Sequence, residues 1–349
     1  MKVVGTQRHR VVHLPGKKPT ARIWPSYSLF GIVAIFIGLV FALPALAQTC
    51  GGTVKCRCGD TLIADRTLAN DPIVQTACPG DGLTIGASGI TLDLKTKAIK
   101  GSGHGVGVLV ADGVKNASII GRPPARIQGF GTGIKISSGA SHVTVSGVQA
   151  YYHRGDGILV EGDHNRVINS PGRHNGNNGH AVMNGDHNVI TGANNEYNGD
   201  NGFFVQGNFN ELIANKASEN DKSRQGQGIG IAVIGDSNII RLSQLTHNNT
   251  HGIVVVGNAN LLEGNSTNKH KFDGIVVNGN NTVLINNSAT NTKNATTQNL
   301  GIFVEGDGNA FASSGNVSND DVCSIYGVTG QGVCAKTQCS EAGTCTAGP

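Results

Sequence analysis

The sequence predicts an all-β chain, a single-stranded right-handed parallel β-helix of about ten coils with disulfide-bearing caps at both ends. Three observations lead there: a glycine-led repeat, short apolar runs with no helical period, and cysteines confined to the two ends of the exported part.

The repeat is the strongest of the three. Gly157-Ile158-Leu159-Val160 is followed by Gly162 and Asn165, and the pattern returns from Gly179 (with Gly185 and Asn188, one residue later), Gly202, Gly230, Gly252, Gly274 (with Thr282 in place of Asn) and Gly301. These lead glycines are separated by 22, 23, 28, 22, 22 and 27 residues. The two long steps place loops near Lys222–Gln227 and Ala295–Asn299. A unit this short cannot bury its apolar side alone, whereas stacked copies share one continuous core.

Each unit carries two apolar runs of strand length, such as Ile253–Val255 and Leu261–Glu263, bounded by Gly and Asn. Such runs read as strands. Gly and Asn are expected at the turns, where positive φ is tolerated. Asn165, Asn188, Asn210, Asn238 and Asn260 are expected to stack as a hydrogen-bonded column. Weaker copies, among them Leu83–Ile85 and Ile134–Ile136, extend the helix over 80–317.

The ends follow from cysteine and charge. Cys50, Cys56, Cys58 and Cys78 fall in an N-terminal cap, 48–79; Cys323, Cys334, Cys339 and Cys345 fall in a C-terminal cap, 318–349. Two clusters of four predict two disulfides at each end in an oxidising compartment, with three pairings open in each. Residues 1–47 hold six Lys and Arg and no acid, so removing them leaves 21 basic residues against 23 acidic. The apolar run Leu29–Leu43 followed by Ala45-Leu46-Ala47 reads as a signal peptide, too short for a membrane span. The location expected is extracytoplasmic, secreted or periplasmic, with no membrane span in the mature chain. A mildly acidic mature chain without a basic aromatic stripe excludes nucleic acid as partner.

With these repeats, the chain resembles the right-handed β-helix repeat proteins of the pectin-lyase-like superfamily. The resemblance covers nearly all of the mature chain. It implies a polysaccharide or cell-surface glycan as partner, and it leaves the chemistry open, because fold alone does not assign it. Gly103-His104-Gly105 and Arg122-Pro123-Pro124-Ala125-Arg126 echo family motifs but lack the residues that should accompany them.

Candidate chemistry comes from aligning the residues ahead of each lead glycine. Five before it stand Tyr152, His174, Tyr197, Gln225, His247 and Lys269; four before it stand His153, Asn175, Asn198, Gly226, Asn248 and His270. The densest cluster is Tyr152, His153, Arg154 and Asp156, with Arg173 and His174 one coil on. A lyase or epimerase of acidic glycans needs a cation for the substrate carboxylate, a base and a proton donor. Arg154 or Arg173 would bind the carboxylate, His153 or His174 would be the base, and Tyr152 the acid. Tyr197, His247 and Lys269 would bind substrate along the column. The alternative is a noncatalytic glycan-binding or structural, adhesive surface module. No cofactor is expected; Asp163 and Asp186, one coil apart, are the weak calcium candidates.

Overall fold

The computed structural model describes residues 48–221, 226–290, 300–311 and 316, and the backbone of short strands between 317 and 347. The predicted leader, 1–47, lies outside the described residues, as do most of the two predicted loops.

The chain is a parallel β-solenoid. Each coil contributes one strand to each of three sheets, as Ile158–Val160, Arg166–Ile168 and Gly172–Arg173 do in one coil. These belong to the first, second and third sheets, with 13, 12 and 14 strands among the described residues. Pairing is parallel and in register: Ile158, His180, Phe203, Ile231 and Ile253 lie directly over one another. Side chains alternate along a strand, so Ile158 and Val160 enter the core while Leu159 faces out. The core is a set of buried aliphatic ladders, to which each fully buried side chain contributes about 1.5–3 kcal/mol.

Three corners join the sheets, and each follows one local rule. A residue with left-handed φ comes first, and the next side chain turns inward. At the corner between first and second sheets the pairs are His164 with Asn165, His187 with Asn188, Phe209 with Asn210 and Ser237 with Asn238. The inward Oδ1 accepts the backbone N–H one coil back, as in Asn165 N–H to Asn188 Oδ1 at 2.8 Å and Asn188 N–H to Asn210 Oδ1 at 2.9 Å. The predicted asparagine column therefore exists and is buried. The positive φ belongs to the residue before each asparagine, contrary to expectation, because that residue makes the bend.

The lead glycines also have a different reason from the one expected. Gly157 does not have a positive φ. A Cβ there would come within 2.5 Å of the Gly179 carbonyl oxygen and 2.7 Å of the Asn175 amide. Close packing of backbone against an inward ladder requires the glycine.

The N-terminal cysteines pair as Cys50–Cys56 and Cys58–Cys78. Their segment adds strands of its own: Asp60–Leu62 pairs with Leu83–Ile85, and Ala77–Cys78 with Ala98–Gly101. Buried Asp71 braces this end. Burial alone would raise its pKa, but Arg66 at 2.8 Å and the N–H groups of Cys56 and Ala69 hold it below the usual carboxylate value. At the other end, Thr337–Cys339 pairs antiparallel with Cys345–Ala347, placing Cys339 opposite Cys345 in the backbone. The predicted disulfides of Cys323, Cys334, Cys339 and Cys345 concern side chains outside the described residues.

Candidate functional site

The corner between the third and first sheets carries most of the residues singled out from sequence. Tyr152, His174, Tyr197, Glu219, His247 and Lys269 all have left-handed φ and form one outward column. Glu219 stands where Gln225 was expected, because the extra residues of that coil follow the corner instead of preceding it; the Asn198 N–H meets Asn220, not Gly226. The first three rings stack, Tyr152 on His174 at 5.0 Å and His174 on Tyr197 at 5.0 Å. The stack uses both faces of His174 and one face each of Tyr152 and Tyr197.

His153 is not available as a base. It is 2% exposed and heads the inward ladder of this corner. Its Nδ1 accepts the Phe130 N–H at 3.1 Å and its Nε2–H donates to the Ile127 carbonyl at 3.0 Å. Burial lowers its pKa to about 4, with the Ile127 and Phe130 contacts opposing only in part. Asn175, Asn198, Asn220 and Asn248 continue the ladder, and His270 closes it by accepting the Asn248 N–H through Nδ1.

The other predicted catalytic residues do not converge. Arg173 is an outward third-sheet residue paired with Glu196 at 3.3 Å. Arg154 is exposed and lies over Gly103. Tyr152 is 60% exposed and His174 sits behind it in the stack, bordering a shallow depression with Tyr197. Asp156 faces a different space, across the turn. Among the described residues the cluster therefore contains no free buried base, and its one cation without an acidic partner, Arg154, is exposed rather than aimed at His153.

Asp163 and Asp186 belong to a surface ladder. Asp163 Oδ1 accepts the Asp186 N–H at 2.8 Å, Asp186 Oδ1 accepts the Asn208 N–H at 2.6 Å, and the pattern continues through Asp236 and Asn258. Each Oδ1 in this column thus satisfies a backbone N–H of the neighbouring coil.

Sequence reasoning missed a second ring stack and a groove beside it. His142, His164, His187 and Phe209 stack at 5.2, 4.8 and 4.9 Å on the corner between first and second sheets. For His164, His187 and Phe209 the signal was the position before each ladder asparagine; His142 precedes Val143 at the head of that ladder. Between the two ring columns, the outer face of the first sheet forms a groove of about 770 Å³. Its floor is Leu159, Met183 and Phe204; carboxylates of Asp156, Glu161, Asp163 and Asp200 and the amides of Asn177 and Asn178 surround it. Asp156 Oδ1 accepts Asn177 Nδ2 at 2.8 Å, the Asn178 N–H at 3.0 Å and Asn178 Nδ2 at 2.9 Å. Burial raises the Asp156 pKa and nearby Asp200 adds to it, while these hydrogen bonds oppose the rise. Groove and ring stacks occupy the same coils, those led by Gly157, Gly179 and Gly202.

No protein-family model and no curated protein matches the sequence. Among solved structures, the chain is similar to a siphovirus 9NA tailspike receptor binding domain (TM-score 0.46, 12% identity), with 71% of this chain covered. The chain spans 51% of that tailspike domain's length. It is also similar to the A-module of the Azotobacter vinelandii mannuronan C-5 epimerase AlgE6 (TM-score 0.46, 14% identity, 82% of this chain and 85% of that one). A third is pectate lyase Pel9A (TM-score 0.40, 16% identity, 78% and 70%).

Proposed function

We propose that the chain is an extracytoplasmic glycan-binding β-solenoid whose binding surface is the groove on the first sheet. One observation carries this reading: an apolar floor of Leu159, Met183 and Phe204 lies open on an outward sheet face, walled by carboxylates and amides. A pyranose has the matching chemistry, with C–H faces for the floor and hydroxyls for the wall. Concave sites of mixed floor and polar rim are the usual form of a ligand site. Parallel rungs recur at about 4.8 Å, close to the length of one sugar in an extended chain. An oligosaccharide lying along the solenoid axis would advance by about one coil per sugar past this wall of carboxylates and amides. The N-terminal disulfides fit an oxidising, extracytoplasmic location.

Binding is favoured over lyase or epimerase chemistry because His153 has both ring nitrogens occupied and Arg173 is paired with Glu196. The test is a glycan panel measured by titration calorimetry with the disulfide-intact chain. Phe204→Ala is expected to weaken the best ligand about tenfold, or ~1.4 kcal/mol, with an unchanged circular dichroism spectrum. Absence of binding across the panel would defeat the proposal; unsaturated uronate product from wild type would restore the lyase reading.

A further inference from the structure

We infer that the groove is built for an amine-bearing, cationic glycan, a polymer of hexosamine with free amino groups, and that it discriminates against uronates. This rests on the glycan reading above and names the substrate class of the same site.

Charge is the first support. Four carboxylates line the groove, and none of its described lining residues is basic. Lys135 reaches it from the side and pairs with Glu161 at 2.8 Å, which accounts for one of the four. Asp156, Asp163 and Asp200 each accept N–H donors through Oδ1. Their second oxygens make no hydrogen bond among the described residues. Neutral amide donors orient a carboxylate without cancelling its charge. The mutual repulsion is visible at Asp156, whose proton is held more tightly partly because of Asp200. A uronate chain would add a further negative charge at every residue, and among the described residues the one cation beside the groove, Lys135, is already paired with Glu161.

The floor decides which kind of cation fits. A hard ion such as calcium takes six to eight oxygens. Here the space between the carboxylates is floored by Leu159 and Phe204 carbon and by Met183. Those groups offer van der Waals contact to C–H, and the Phe204 ring also attracts an ammonium group. An organic cation with an apolar face satisfies walls and floor together, and a glucosaminyl residue carries both on one ring. Three coils of groove, from Asp156 to Asp200, give room for several such residues in a row.

The experiment compares tetramers of glucosamine, N-acetylglucosamine and galacturonate by calorimetry at pH 6, where the amine is protonated. Glucosamine tetramer is expected to bind at least about tenfold more tightly than the acetylated form, with galacturonate undetected. Asp200→Asn is expected to remove most of that preference while the acetylated tetramer still binds. Asp236→Asn, a carboxylate outside the groove, is expected to leave the preference intact, which separates the site from general attraction to an acidic surface. Acetylated tetramer or galacturonate binding as well as glucosamine, in a Phe204-dependent manner, overturns the amine inference and leaves the glycan reading standing. Failure of all three overturns the inference, and failure of the wider panel then removes the glycan reading too. Competition by millimolar calcium with an unchanged amine preference supports a shared anionic site. Binding of calcium but no sugar overturns the inference in favour of a metal site.

Discussion

His153 and His270 stand at the two ends of one buried asparagine ladder, and both serve through Nδ1 as acceptors where the intervening coils use an amide oxygen. Burial also holds His270 and the core residue His180 neutral, each with a pKa lowered to about 3. His180 lies edge-on to Phe203 and neither ring nitrogen makes a hydrogen bond, although the Ser170 backbone slightly favours its charged form. The folded pKa of these groups lies below the ordinary 6.5, so their stabilising contribution is complete above pH 6.5. It is lost as the pH falls toward 4 and then 3, at up to about 1.4 kcal/mol per pH unit for each group. Urea unfolding at pH 7 and pH 4.5 should therefore show a marked loss of stability in acid. His153→Asn, which keeps an acceptor for the Phe130 N–H, should reduce that loss; an unchanged difference between the two pH values would refute the assignment. Leu242 poses the opposite case, a β-solenoid corner filled by a residue poorly suited to it. Its φ is 55° and it is 58% exposed. Leu242→Asn should raise stability by about 0.5–1 kcal/mol, because asparagine tolerates the left-handed region better. A fall in the urea midpoint would contradict that.

At the level of the corner, column membership could be read in the sequence and side-chain direction could not. Asn165 through Asn260 stack as expected, because each follows its lead glycine by eight residues, or nine at Asn188, where a turn residue absorbs the difference. The neighbouring series from His153 to His270 has the same regularity, and its period alone suits a surface column equally well. A period places residues above one another without saying whether they point in or out. The left-handed residue ahead of each one settles it, since Tyr152, His174 and Tyr197 take the outward position and the next residue is turned inside. The energetic consequence is large. Asn198 accepts the Asn175 N–H and donates to the Gly172 carbonyl and to Asn220, at 3.0–3.1 Å, in a fully dry setting. Asn198→Ala should cost about 2–3 kcal/mol, since it strands buried partners. Asn258→Ala, in the exposed surface ladder, should cost under about 1 kcal/mol. Equal losses in urea unfolding would show that the two ladders do not differ as described.

For the whole molecule, stability is shared between neighbouring coils, so the ends matter more than their size suggests. The first coils are tied by Cys58–Cys78, a link across 20 residues of sequence, and by the Arg66–Asp71 pair. Replacing both Cys58 and Cys78 with Ala should lower unfolding stability by about 3 kcal/mol on chain-entropy grounds. Replacing Cys50 and Cys56, separated by only six residues, should cost less. The reverse order in paired denaturation curves would argue against end-tethering as the source. The groove is a property of this same scale. Asp156, Met183 and Phe204 come from three coils, and none of them departs from its repeat in a way that marks it alone.

The sequence by itself determined that glycine-led units stack in parallel register, that the two cysteine clusters lie at the ends, and which residues share a column. Those follow from a regular period, since identical spacing forces like residues to the same height and side of every coil. Only the tertiary structure decided that His153 is a sealed ladder residue, that Arg173 belongs to Glu196, and that the concave surface lies on the outer first sheet. Burial, pairing and concavity depend on which way each corner turns its side chains and on what adjoining coils place beside them, and repeat spacing carries neither.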